Sequence, residues 1–284
     1  MLAPSSHAQT SSNSLMNDPA SIVRCQRWGQ NGRSDESSRS VPEETAIALT
    51  YNGGTYAVMM ATPLDLDDFA LGFSLNEGIV DSCDDIQSLD VLSADDGIEL
   101  RIWLDKSNAD RLQRRRRHIA GPTGCGLCGI ESIAEATRPA RAVGPGKRFS
   151  SAQIMAAMAS LSGFQKLNME TRAVHAAALW EPARGIVALR EDVGRHNALD
   201  KLVGASTRAS VPAREGAILL TSRVSVEMVQ KSATVGASVM VSVSAPTATA
   251  VRMAEAAGIT LAAVARRDGF EVFTHPSRIA SEAL

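Results

Sequence analysis

The chain has 284 residues, 29 Lys and Arg against 31 Asp and Glu, a net charge of -2 and 4% aromatic residues, which excludes a nucleic-acid polycation and a base-stacking surface. With 44% hydrophobic residues it is not a disordered chain, and its length suits one large α/β domain or two smaller ones without disulfide staples. No run reaches the ~18 apolar residues of a membrane span, and residues 1–14 lack the basic-then-apolar order of a secretory signal, so a cytoplasmic protein is expected.

Residues 1–42, rich in Ser, Asn, Gln and Arg and without a period, are expected to form a mobile N-terminal tail, with Ile22, Val23 and Trp28 as a possible docking strand. Thr45–Tyr51 reads as a strand, Asn52-Gly53-Gly54 as a hairpin turn and residues 55–60 as the returning strand. Residues 65–77 read as a helix that Asp65 or Asp67 caps and Gly78 ends. Residues 98–104 alternate apolar and polar. Residues 43–137 are thus a smaller N-terminal α+β part ending in a cysteine-containing loop, and 137–147, with two prolines, are a linker. Residues 148–284 are an α/β part with strands at 173–180, 185–190, 217–221, 239–243 and 261–265, and helices at 150–161, 197–203, 226–236 and 247–258. That alternation predicts a mainly parallel sheet covered on both faces by helices.

Four cysteines in a chain this long are not a disulfide scaffold. Cys25 and Cys83 are isolated; Cys125 and Cys128 form a CxxC in the run Gly124-Cys125-Gly126-Leu127-Cys128-Gly129. A lone thiol is mostly protonated at neutral pH, and a second sulfur, free backbone N–H groups and a following helix at 130–136 favour the thiolate. The glycines leave room for another protein's sulfur to approach. Such a thiolate can accept sulfur as a persulfide that the second cysteine resolves or shares. The structural alternative is half a zinc site, which needs two more ligands. Cys25, Cys83, His118, His175 and His196 stand at no ligand spacing, so a reactive thiol pair is favoured and no metal ligand is assigned. Arg114, Arg115, Arg116 and Arg117 precede the pair and read equally as a docking patch or a solvated face.

In the second part, the run from Glu191 to Lys201 is dense in polar groups. Gly194 permits a turn that would set Arg195 and His196 at a helix N-terminus as an anion cradle, with Asp192 able to orient either. Ser222 and Arg223, Ser244 to Thr247, and Arg266-Arg267-Asp268-Gly269 each follow a strand, where open α/β sheets gather ligands; helix capping explains Ser225 and Thr247 as well. Together these loops suggest a pocket for a phosphorylated ligand. His175, in an apolar strand, reads by default as a satisfied core histidine.

These segments resemble the formate dehydrogenase accessory sulfurtransferase family, FdhD. The matching stretches are YNGGTYAVMMATPLDLDDFALGFSLNEGI, GCGLCGIES, VHAAALW, EDVGRHNALDKLVG, TSRVSVEMVQKSA, VSAPTATAV and FTHPSRI, within residues 43–279. The resemblance implies a cytidine-deaminase-like mixed sheet covered by helices, and a homodimer. It implies a carrier that takes sulfur from a cysteine desulfurase and passes it to the bis-guanine-dinucleotide molybdenum cofactor for formate dehydrogenase. Cys125 is the implied persulfide carrier with Cys128 beside it, and Val264, Ala265, Arg266, Arg267, Asp268 and Gly269 are the implied cofactor contacts. Two positions depart from the family pattern: Arg172-Ala173 stands where Gly-Gly is common, and Val264 where an aromatic is common. Two other functions are weighed. A zinc-dependent nucleobase deaminase needs HxE or CxE ahead of PCxxC, but Gly124 precedes Cys125 and no HxE occurs. A non-catalytic cofactor chaperone would carry no sulfur at all.

Overall fold

The computed structural model describes residues 18–116 and 138–280. Cys125, Cys128, Arg117 and the helix expected at 130–136 lie outside the described residues, as do residues 1–17.

The expected tail is corrected over its second half. Strands β1 (Ala20–Trp28) and β2 (Ser34–Pro42) form an antiparallel hairpin, with Ala20 opposite Pro42 and Trp28 opposite Ser34. Both faces of this ribbon are largely exposed, so no apolar alternation marks it in the sequence. Arg39 Nη2 ties it to the body by donating to Thr171 O at 3.2 Å, and Ser40 Oγ donates to Glu170 at 2.5 Å.

The N-terminal part is a four-stranded sheet of β3 (Thr45–Tyr51), β4 (Gly54–Ala61), β5 (Ile86–Ala94) and β6 (Gly97–Leu104), in the order β4-β3-β6-β5. Asn52 and Gly53, at φ 47° and 80°, make the predicted turn. Helix α1 (Leu66–Asn76) lays Phe69 and Phe73 on Ile47, Leu49, Leu100 and Ile102. Gly78, at φ 63°, ends it, but Asp65 makes no side-chain cap: its backbone is left-handed and its carboxylate faces Arg190 at 3.5 Å. Helix α2 (Lys106–Arg116) follows, and covers three of the four successive arginines.

In the second part, β7 (Phe149–Ser150), α3 (Ser151–Ser160) and α4 (Lys166–Thr171) lead into a six-stranded sheet. Its strands are β8 (His175–Glu181), β9 (Gly185–Asp192), β10 (Ala217–Leu220), β11 (Val239–Ser242), β12 (Thr260–Arg266) and β13 (Gly269–Val272), in the order β13-β12-β11-β10-β8-β9. Helices α5 (Arg195–Arg208), α6 (Val226–Thr234) and α7 (Ala248–Ala257) alternate with them. The sheet is mixed, not mainly parallel. β10, β11 and β12 pair in parallel across the crossovers of α6 and α7, whereas β8–β9, β8–β10 and β12–β13 are antiparallel. The turns at Pro182–Arg184 and Arg267–Asp268 are too short for a parallel crossover. Alternate residues face opposite layers: Leu179, Ile218, Leu220, Met240 and Leu261 pack against α5, α6 and α7, while Ala178, Leu219, Val241 and Ala262 pack with Ile154 of α3 and Phe149.

Helix α1 crosses α5 at two glycines, which join the parts. A Cβ on Gly72 would stand 1.7 Å from Asp200 O, and one on Gly204 2.0 Å from Asp68 O, so no other residue permits this approach. Asp68 accepts Arg190 Nη2 at 2.6 Å and Arg208 Nη1 at 2.9 Å across the same seam.

Candidate functional site

Strands β9, β10, β11 and β12 run the same way and end on one edge of the sheet, where α5, α6 and α7 begin. This edge gathers Arg195, His196, Ser222, Arg223 and the stretch 264–269. It is about four strand spacings wide, roughly 20 Å.

Most of the polar run from Glu191 to Lys201 is scaffold. Glu191 accepts Leu167 N at 2.8 Å and Asn168 N at 2.9 Å, which caps α4, and burial pushes its carboxyl up. Asp192, fully buried, accepts Gly194 N at 2.7 Å, Asn197 Nδ2 at 3.1 Å, Thr62 N at 3.0 Å and Lys201 Nζ at 2.6 Å. Lys201 also donates to Thr62 O at 2.8 Å; burial lowers its pKa, and Asp192 opposes that shift. Asp200 accepts Asn76 Nδ2 at 2.6 Å and Lys231 Nζ at 2.5 Å. The lone pairs of Asp192 are thus engaged, and it orients neither Arg195 nor His196. Glu227 of α6 takes that place, 3.0 Å from His196 Nδ1.

What remains at this edge includes unsatisfied polar atoms. Arg195 Nε and Ser225 Oγ are buried without a hydrogen-bond partner, and His196 Nδ1 has no aligned hydrogen bond despite its approach to Glu227. Buried polar atoms left in this state are rare in native proteins. His175 is not a sealed core residue. It opens β8 opposite Asp192, half-buried, and its pKa is lowered by burial and by Arg195. Sequence reasoning missed Glu227 and His175 because their neighbours come from other elements.

Across the edge, Val264 has φ 54°, a left-handed conformation that a β-branched residue rarely adopts, at a bulge between Ala263 and Arg266. Strain of this kind collects at ligand-binding segments. Arg266 Nη1 donates to Val243 O and Ala265 O, fastening β12 to its neighbour, while Arg267 and Asp268 are exposed. Ser222 is buried, its hydroxyl donating to Arg223 O at 3.1 Å, and Arg223 is exposed. Of the residues assigned to the ligand, Ser222 and Arg266 make hydrogen bonds to neighbouring backbone, Arg223 and Arg267 are exposed, and Arg195 Nε is buried without a partner.

Comparison with known proteins decides the family. The model of the FdhD/NarQ family matches residues 42–280. The chain belongs to the FdhD/NarQ family. It is 50% identical over 251 residues to a protein of Agrobacterium fabrum named sulfur carrier protein FdhD, covering 88% of this chain and 93% of that relative. The relative of the same name from Cupriavidus necator is 48% identical, with 90% and 89% covered. A solved structure from Desulfotalea psychrophila, named for an accessory role to formate dehydrogenase, superposes with a TM-score of 0.74 at 24% identity, covering 93% of this chain and all of that one, and so shares the fold. No helix among the described residues is long and apolar enough to cross a membrane.

Two features of this FdhD/NarQ chain give measurable expectations. Arg172 is the left-handed C-cap of α4 at φ 54°. Arg172→Gly is expected to stabilise the protein by about 0.5–1 kcal/mol in urea unfolding. His175, with its folded pKa below the unfolded value, binds fewer protons folded than unfolded near pH 6. Its contribution is fully present above about pH 6.5 and is lost as pH falls towards the folded value. His175→Gln is therefore expected to flatten the acid limb of the stability profile.

Proposed function

We propose that this protein carries sulfur as a persulfide on Cys125 and delivers it to the bis-guanine-dinucleotide molybdenum cofactor for formate dehydrogenase. The observation that carries this reading is the Gly-flanked Cys125/Cys128 pair, standing in a chain half identical to a protein named sulfur carrier FdhD. Sulfur enters when the Cys125 thiolate attacks the outer sulfur of a cysteine desulfurase persulfide, and the desulfurase thiolate leaves. Once the recipient is docked, attack of the Cys128 thiolate on the inner sulfur forms the Cys125–Cys128 disulfide and releases the outer sulfur to it as hydrosulfide. The two thiolates supply the two electrons, and a thiol reductant resets the pair.

The sheet edge supports an anionic recipient. Arg195, His196 with Glu227, Arg223 and the strained Val264–Gly269 stretch line a long rim, which suits an elongated dinucleotide better than a compact substrate. Arg195 offers an unused buried N–H to a phosphate oxygen. Formate dehydrogenase is the beneficiary, the site of action is the cytoplasm, and the working form is a homodimer.

Reconstitution tests the whole relay. The protein is loaded with sulfur by a cysteine desulfurase, separated from it, and added to cofactor and inactive formate dehydrogenase. Activity is expected to rise in proportion to the sulfur carried. Loaded protein that activates no better than unloaded protein contradicts the reading.

A further inference from the structure

The β1–β2 arm stands on the body almost bare. Each strand has nine residues, so the arm is about 30 Å long, and beyond its root nearly every residue is exposed. A two-stranded ribbon with nothing packed on it is only marginally stable in water. One face carries Ile22, Arg24, Gln26 and Trp28 of β1, opposite Ser40, Ser38, Glu36 and Ser34 of β2. Ile22 and Trp28 are 80% and 66% exposed. The root is fixed: Arg39 and Ser40 hold Thr171 O and Glu170 of α4, and Ser21 Oγ donates to Glu43 at 3.2 Å. A second bare surface lies on the sheet β4-β3-β6-β5. Helix α1 covers the face of Ile47, Leu49, Leu100 and Ile102. The other face sets Val58, Ala48, Glu99 and Leu92 in one row across the four strands, with Met60 beside Ala46 and Trp103 beside Ser88. Val58 and Met60 are 59% and 50% exposed, and Leu92 and Trp103 are exposed too, so the arm of the same copy does not cover this face.

The two surfaces complement each other in charge as well as in exposed apolar area. The arm holds Arg24, Arg27, Arg33 and Arg39 against Asp35 and Glu36, whereas β5, β6 and their turn hold Asp90, Asp95, Asp96 and Glu99 against Arg101. Arg24 on the arm and Asp90 on the sheet face have no ion-pair partner among the described residues. We propose that the open sheet face receives the β1–β2 arm of a second copy of this chain, in a reciprocal exchange about a two-fold axis. The proposal rests on the homodimer reading above and names its interface. Ile22 and Trp28 pack on the apolar side of the partner's sheet face, at β3 and β4, and Arg24 meets its acidic side, at β5 and β6. The two-fold uses the same pair of surfaces twice, so both bare surfaces of each copy are covered. A ribbon about 30 Å long and two strands, about 10 Å, wide covers ~300 Å². Two arms, counted on both copies, remove ~1,200 Å² from water, the lower end of specific interfaces.

Sedimentation velocity of the full-length protein tests the exchange. The wild type is expected to be a dimer at about 50 µM. Trp28→Asp on the arm and Val58→Asp on the sheet are each expected to raise the dissociation constant at least about tenfold. Both side chains are exposed within one copy, so the circular dichroism spectrum is expected to stay unchanged. Mixing the two variants reads the reciprocity. Their heterodimer keeps one unaltered arm on one unaltered face, so it is expected to form at concentrations where each variant alone is a monomer. A monomeric wild type contradicts the homodimer reading and takes the exchange with it. A wild-type dimer that either substitution fails to weaken leaves the homodimer standing and overturns the exchange alone. Weakening by both substitutions with no heterodimer on mixing overturns the exchange as well.

Discussion

Cys125→Ala is expected to abolish the activation of formate dehydrogenase, with a loss of at least about a thousandfold in cells that lack their own copy of the carrier. The reason is chemical. Only a thiolate is both nucleophilic enough at neutral pH to take sulfur from a persulfide and able to hold it. Cys125→Ser fails equally, since a serine hydroxyl is scarcely ionised at that pH. Cys128→Ala separates the roles within the pair: a protein that still loads sulfur but releases it slowly marks Cys128 as the resolving thiol. Full activity in Cys125→Ala, with the protein present at normal abundance, contradicts the assignment.

Lys201→Met is expected to cost about 3–5 kcal/mol of folding stability. Lys201 Nζ lies 2.6 Å from Asp192 Oδ2 and 2.8 Å from Thr62 O, and both side chains are fully buried. Removing the cation strands a carboxylate that three N–H donors then hold alone. It also cuts the link between Thr62, in the N-terminal part, and α5, which carries Arg195 and His196. In a domain of this size the loss corresponds to a melting temperature lower by about 10 °C. Urea unfolding measures it, and a cost below about 1 kcal/mol contradicts the buried pair. Methionine keeps the volume of the aliphatic stem, so the effect reports charge more than a cavity.

The second part was legible because its strands are short, apolar and buried on both faces. Ala217–Leu220 and Val239–Ser242 announce themselves without a partner in view. Strand–helix alternation alone implies parallel pairing, whereas the family resemblance implies the mixed sheet that is found; two tight turns, Pro182–Arg184 and Arg267–Asp268, hold the information that β8–β9 and β12–β13 must be antiparallel. Of the β1–β2 hairpin only β1 was marked, by Ile22, Val23 and Trp28; β2, SDESSRSVP, has almost no apolar residue to signal a strand. At the candidate site, the sequence singled out residues 191–201 as a polar run but not how its groups divide between scaffold and open edge. Asp192 turns to Lys201 and Thr62, Asp200 to Asn76 and Lys231, and His196 to Glu227. Each is a pairing between elements far apart in the chain, and no local spacing encodes it. The cysteine pair is the reverse case. Its pattern is local, two cysteines three positions apart and flanked by glycine, so the proposal for it starts from the sequence alone.

The most direct test of the central claim is the mass of the Cys125 peptide after the protein meets a cysteine desulfurase and free cysteine. Cys125 is expected to gain one sulfur atom, removable by a thiol reductant and absent in Cys125→Ala. No added sulfur, or sulfur found on Cys25 or Cys83 instead, contradicts it.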